Sequence, residues 1–268
     1  MTTTTMNYRP FKPGIELTSI RAFFRAINWI WWLQRAPMFL LAVPRGTMGQ
    51  SAGSTTPAAC DLLKQLQVPG VALTVTKTEW IAAGTPPPAG RGAAPSATKL
   101  AAYCRLDGVI DRRAGAAGAT YGIGFALALP ENWNGRFLLQ GGGGLNGSVQ
   151  APIGGSAAGG NPGLARGFAV ASTDTGHQGR GGFDATFMQD QQANLDFAYA
   201  AIGRVAEIAK RIVAQHYGKS AERSYFAGCS TGGREAMLMA QRYPAYFDGV
   251  VSGAPAMRTS FSGIGDRW

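Results

Sequence analysis

Residues 223–243 read RSYFAGCSTGGREAMLMAQRY, and this stretch decides the fold. It opens on a short apolar run, 223–227, with the composition of a strand, and closes on an amphipathic stretch, 232–243, with the spacing of a helix. Between them stands Gly228-Cys229-Ser230-Thr231-Gly232, a G-x-S-x-G set directly on a strand-to-helix turn. A nucleophile at the tip of such a turn has little room, so small residues must flank it two positions away. The turn lifts the Ser230 hydroxyl into a cleft, and the helix amides favour an oxyanion that develops beside it. The competing reading is a glycine-rich turn with an inert serine, a real alternative in a chain with 38 glycines among 268 residues.

Working outward, apolar runs at 71–76 (VALTVT), 120–129 (TYGIGFALAL), 136–140 (RFLLQ), 167–172 (GFAVAS) and 249–252 read as further strands. A short helix is expected at 60–66 and a long one at 194–217. In the long helix Leu195, Ala198, Ile202, Val205, Ile208 and Ile212 recur at three- and four-residue intervals, and Gly218 closes it. Residues 82–98, rich in Pro, Gly and Ala, read as loop. Strands alternating with helices predict an α/β layer with a parallel sheet.

The run QGGGG at 140–144 follows one of these strands. Glycines there let the backbone N–H groups of Gly141, Gly142 and Gly143 approach a substrate carbonyl, with the Thr231 N–H as the matching donor across the cleft. A flexible linker is the bland alternative. A phosphate-cradling loop is the other rival, but no Lys-Ser/Thr follows at the spacing such a loop needs.

Composition narrows the classes further. With 46 % hydrophobic and 15 % charged residues the chain is neither a coiled coil nor mostly disordered. Two His and three Cys argue against a zinc site built from several of them. The net charge is +10, yet no basic stripe interleaved with aromatics is visible, so nucleic acid is not an expected partner. Half of the surplus lies in residues 1–50, where Arg9, Lys12, Arg21, Arg25, Arg35 and Arg45 face only Glu16. Two short apolar runs, 26–33 and 36–44, are too short to span a bilayer, and Gln34 and Arg35 separate them. The segment reads as an export signal, with a basic amphipathic leader touching a membrane surface and a plain helical extension as alternatives. Residues 51–59 read as a linker, and 60–268 as the folded region.

Four separated stretches, GCSTGGRE at 228–235, PENWNGRFLLQGGGG at 130–144, STDTGH at 172–177 and YPAYFDGVVSGAPA at 243–256, together resemble the tannase and feruloyl esterase family over about residues 60–260. The resemblance implies a secreted or periplasmic α/β-hydrolase. It implies hydrolysis of small aromatic esters (gallate, ferulate or terephthalate monoester type) through an acyl-enzyme on Ser230. It also implies a lid domain holding a structural calcium ion, with the acid and base of the triad after that lid. Cys60 and Cys104 match the family's amino-terminal disulfide, which closes a loop worth about 4 kcal/mol by loop entropy. Cys229 matches one half of a second disulfide whose partner is absent.

Only 38 residues follow Ser230, and none is histidine. The chain is therefore expected to represent the amino-terminal half of an α/β-hydrolase, incomplete in lid and carboxy-terminal triad, with no calcium site of its own and negligible esterase activity alone. A non-catalytic remnant or interaction module, and one piece of a split esterase, are the alternatives. His177, with Asp174 three residues earlier, is expected to structure its loop, with substrate contact or a working dyad as lesser readings. His216 reads as a solvated cap at a helix end, Asp248 as a turn or strand-start residue, and Trp133 as support for the loop before the glycine run. Glu235 suits the positive end of its helix, while Arg234 is expected to be tied to a carboxylate. The oligomeric state is not legible.

Overall fold

Among the described residues, seven strands form one sheet in the order β1-β2-β3-β5-β4-β6-β7. The computed structural model describes residues 55–84, 98–155 and 161–257, so the leader, its membrane-surface alternative and most of the 82–98 loop lie outside the described residues. The strands are β1 (Leu73–Ile81), β2 (Tyr103–Ala114), β3 (Thr120–Pro130), β4 (Arg136–Gln140), β5 (Ala169–Thr173), β6 (Arg223–Cys229) and β7 (Gly249–Gly253). The helices are α1 (Pro57–Leu62), α2 (Gln191–Leu195), α3 (Ala201–Tyr217) and α4 (Thr231–Arg242).

The sheet is mixed, which corrects the expectation of a parallel one. Strands β4, β5, β6 and β7 pair in parallel, with α3 and α4 serving as crossovers into β6 and β7. Strands β1, β2, β3 and β5 pair antiparallel. The reason is the connection between β2 and β3: residues 115–119 are too few for a crossover and permit only a hairpin. The described residues thus have an α/β-hydrolase-like architecture, a mixed sheet with flanking helices.

Alternation on the central strands builds a core on each face. Phe137 and Leu139 of β4 join Leu106, Ile110, Phe125, Leu127 and the α3 residues Ile202, Val205, Ile208 and Ile212 on one side. Leu138, between them, joins Val170, Ala227 and Phe168 on the other. Trp133 stacks on Tyr217 at 4.0 Å and donates from Nε1 to the Arg136 carbonyl at 2.9 Å, so it braces the entry to β4 as expected. Asp248 accepts from Arg223 Nη1 at 2.7 Å and from the Ser224 amide at 2.8 Å, which makes it the strand-start residue the sequence suggested.

Two differences concern the helices. Residues 57–59 are helical rather than linker, because Thr56 caps α1 by accepting from the Ala59 amide at 3.2 Å. Cys60 of α1 is disulfide-bonded to Cys104 of β2, pinning this helix to the sheet. The long helix is interrupted by a π-helical turn at Asp196–Ala200. A π turn adds a residue and shifts the phase of the apolar stripe. Leu195 is consequently exposed while its neighbour Asp196 is buried, the reverse of what an unbroken α-period predicts.

Candidate active site

Ser230 stands between β6 and α4 with φ +59° and ψ −119°. A non-glycine residue there carries a strain of about 1–3 kcal/mol, which persists only where surrounding bonds impose it. Those bonds are present. The Ser230 amide donates to the Gly253 carbonyl at 3.1 Å, and the Ser230 carbonyl accepts from the amides of Arg234 (3.0 Å) and Ala256 (2.9 Å). The residue is exposed at the carboxyl end of the parallel strands, where a ligand can reach it.

The glycine run after β4 is hooked onto this elbow. Gly141 N–H donates to the Ala227 carbonyl at 2.8 Å, and Gly142 N–H donates to Glu235 Oε2 at 3.0 Å. Gly232 N–H in turn donates to the Gly142 carbonyl at 3.0 Å, and Thr231 Oγ1 donates to the Gly144 carbonyl. A Cβ on Gly232 would lie 2.8 Å from that Gly142 carbonyl oxygen, so the close approach requires glycine. Of the three expected loop donors, Gly141 and Gly142 are therefore already committed. The N–H groups of Gly143 and Thr231 have no acceptor among the described residues, and Gly143 is exposed.

Neither histidine stands as a base beside Ser230. His177 is 2 % exposed, stacked on Phe187 with ring centroids 3.8 Å apart and edge-on to Phe197, and both ring nitrogens are shielded from solvent. Burial lowers its pKa. Its ring packs within the loop after β5, against Phe187 and Phe197. Asp174 does not orient His177 as a dyad partner would. Its Oδ1 accepts from the amides of Gly124 and Gly176, both at 2.9 Å, tying β3 to the loop after β5. Burial pushes its pKa up to about 7. His216 is half-buried rather than a solvated cap, shares a 3.0 Å hydrogen bond with Thr55 Oγ1, and has its pKa lowered by burial.

Arg234 and Glu235 also depart from expectation. Arg234 Nη2 donates to the Phe197 carbonyl at 3.2 Å, and the guanidinium lies 4.5 Å from the Phe197 ring centroid. It thus serves the Phe197 and Ala198 carbonyls of the π turn rather than a carboxylate. Glu235 turns inward instead of toward the helix end, is 1 % exposed, and has its pKa raised by burial. The α4 period held the signal for this: Gly232, Glu235, Ala236 and Met239 share the buried face. Cys229, beside the nucleophile candidate, is a free and exposed thiol.

A serine forced to positive φ between strand and helix, on a mixed sheet with a glycine loop hooked to that helix, is the arrangement of α/β-hydrolase-like serine hydrolases. The chain belongs to the tannase and feruloyl esterase family, which matches residues 104–263. Mono(2-hydroxyethyl) terephthalate hydrolase of Piscinibacter sakaiensis is 40 % identical over 226 residues, covering 79 % of this chain and 36 % of that protein. The crystal structure of feruloyl esterase B from Aspergillus oryzae superposes with a TM-score of 0.60 at 31 % identity, covering 74 % of this chain and 37 % of that one. Tannin acyl hydrolase from Aspergillus niger shares the fold, with a TM-score of 0.58 at 24 % identity over 79 % of this chain and 39 % of that one. The chain thus spans little more than a third of the length of these relatives.

Proposed function

We propose that Ser230 is the nucleophile of a carboxylic ester hydrolase acting on small aromatic esters, with the Gly143 and Thr231 N–H groups as its oxyanion donors. The observation that carries this reading is the elbow itself: an exposed serine at φ +59°, with the N–H groups of Thr231 and of Gly143 in the attached loop without acceptors among the described residues. Ser230 Oγ would bond to the ester carbonyl carbon while its proton passes to a histidine base. Collapse of the tetrahedral intermediate would expel the alcohol, which takes that proton. Water would then attack the acyl-serine, releasing the aromatic acid and restoring the hydroxyl. With His177 packed inside and His216 bonded to Thr55, the base and its carboxylate would come from sequence beyond the described residues. The relatives have such sequence, since this chain covers only 36–39 % of them.

The substrate class rests on the relatives, one named for a terephthalate monoester and one for feruloyl esters. Ferulate and terephthalate monoesters are thus the first candidates, and gallate esters follow from the family as a whole. A structural calcium ion belongs to the same reading. It is assigned to the lid that the resemblance implies; among the described residues there is no group of three or more His, Cys, Asp or Glu side chains that could hold a metal, and no step is routed through the ion. Secretion or a periplasmic location is supported by the Cys60–Cys104 disulfide, which an oxidising compartment maintains.

The test is to join this chain in frame to the lid and carboxy-terminal half of a close relative. Hydrolysis of methyl ferulate, methyl gallate and mono(2-hydroxyethyl) terephthalate is then compared with that of the S230A form. Turnover of at least one ester, lost in S230A, is expected. A folded protein that turns over none of them, or an S230A form that keeps the rate, overturns the proposal.

A further inference from the structure

Glu235 is the most buried acid in the described structure and has no salt-bridge partner there. Burying a carboxyl group is costly unless its oxygens are occupied. Both are occupied by the glycine loop: Oε2 accepts from Gly142 N–H at 3.0 Å, and Oε1 accepts from Asn146 Nδ2 at 2.7 Å. Asn146 is itself buried, and its backbone N–H donates to the Gly143 carbonyl at 2.9 Å. Residues 142–146 therefore curl around one carboxyl group that stands on the same helix that Ser230 begins.

This curl fixes one direction in particular. A peptide unit is planar, so the Gly142 carbonyl and the Gly143 N–H share a plane. Glu235 holds the amide side of Gly142, and Gly232 N–H holds its carbonyl. With both ends of Gly142 held by α4, the Gly143 N–H cannot rotate independently of the helix that carries the nucleophile. We infer that Glu235 is a positioning residue: its side chain locks the glycine loop to α4 and thereby sets the Gly143 N–H as an oxyanion donor relative to Ser230. Burial raises the Glu235 pKa, and the Gly142 and Asn146 hydrogen bonds oppose that rise. The catalytic part rests on the ester hydrolase reading above; the mechanical part does not.

The two parts are tested separately. In the 268-residue chain, hydrogen exchange of the 141–147 segment is measured for the parent, E235L, E235Q and N146A. In the joined, ester-hydrolysing protein, kcat and KM are measured for the same set. Exchange in 141–147 should accelerate at least about tenfold in E235L. Its kcat should fall about 100-fold, the usual effect of losing one oxyanion donor, with KM within about threefold. E235Q keeps an oxygen for Gly142 and offers an amide to the buried Asn146 Oδ1, which lacks a partner, so it should recover at least about a tenth of the parent kcat. N146A removes one attachment without touching α4, and should lower kcat about tenfold with KM held. A folded E235L or N146A with the parent kcat overturns the inference, as does an E235Q no better than E235L, or a loss confined to KM. If E235L fails to fold, N146A and E235Q decide. A parent without turnover counts against the hydrolase reading; exchange alone then judges the lock, and unchanged exchange in both E235L and N146A refutes it.

Discussion

Gly228→Ala should be far more damaging than Gly143→Ala, although both add one methyl group to the same site. At Gly228 a Cβ would sit 2.4 Å from the carbonyl carbon and oxygen of Gly232 and 2.7 Å from its Cα. All three are backbone atoms, so no rotamer change relieves the contact. Restoring an ordinary separation of about 3.5 Å means moving the elbow and the first turn of α4 apart by about 1 Å. Overpacking of this kind costs about 1–3 kcal/mol, and a purely backbone clash belongs at the upper end. For a chain of this size about 3 kcal/mol lowers Tm by about 6–12 °C. A Cβ on Gly143 meets nothing within 4 Å and its φ is not positive, so Gly143→Ala should stay within about 0.5 kcal/mol, or about 1–2 °C. Thermal unfolding followed by circular dichroism reads both. Equal shifts for the two variants, or less than 2 °C for Gly228→Ala, would refute the packing of the elbow described above.

Reducing the Cys60–Cys104 disulfide, which joins residues 44 apart, should cost about 4 kcal/mol and lower Tm by about 8–16 °C, read by melting with and without reductant. Stability should also depend on pH through Asp174, whose carboxyl group titrates near 3.8 when unfolded and is pushed up to about 7 in the native state. The native protein then holds a proton that the unfolded chain releases, so stability falls as pH rises from about 4 to about 7 and levels off above. The total is at most about 4 kcal/mol. Asp174→Asn can still accept from Gly124 and Gly176 and should flatten part of that slope; urea midpoints at pH 4.5 and 8 that fall equally in both forms would contradict this.

The parts of this molecule legible in the sequence are those with short-range causes. Strand β4 lies where RFLLQ placed it, and β6 and α4 begin at or within a residue of the expected positions, because apolar runs and small residues act locally. Gly218 ends α3 in the left-handed conformation for the same reason. What was illegible depends on partners distant in the chain. The antiparallel half of the sheet follows from pairing rather than from any strand's own composition. Strand β1 runs on to Ile81 past Lys77 and Glu79, whose side chains are exposed and pair at 2.7 Å, so neither charge is buried by the pairing with β2. The partner of Arg234 became visible only once a π turn presented its carbonyls. Glu235 looked like a helix-end charge until the loop it holds, some ninety residues earlier in the chain, was seen around it.

Active-site labelling decides whether Ser230 is the nucleophile. The joined protein is treated with a fluorophosphonate, digested, and the adduct located by mass spectrometry. A single adduct on the peptide containing Cys229, Ser230 and Thr231, absent from S230A, is the expected result. An adduct on another residue, or none on a folded protein, would rule Ser230 out as the nucleophile.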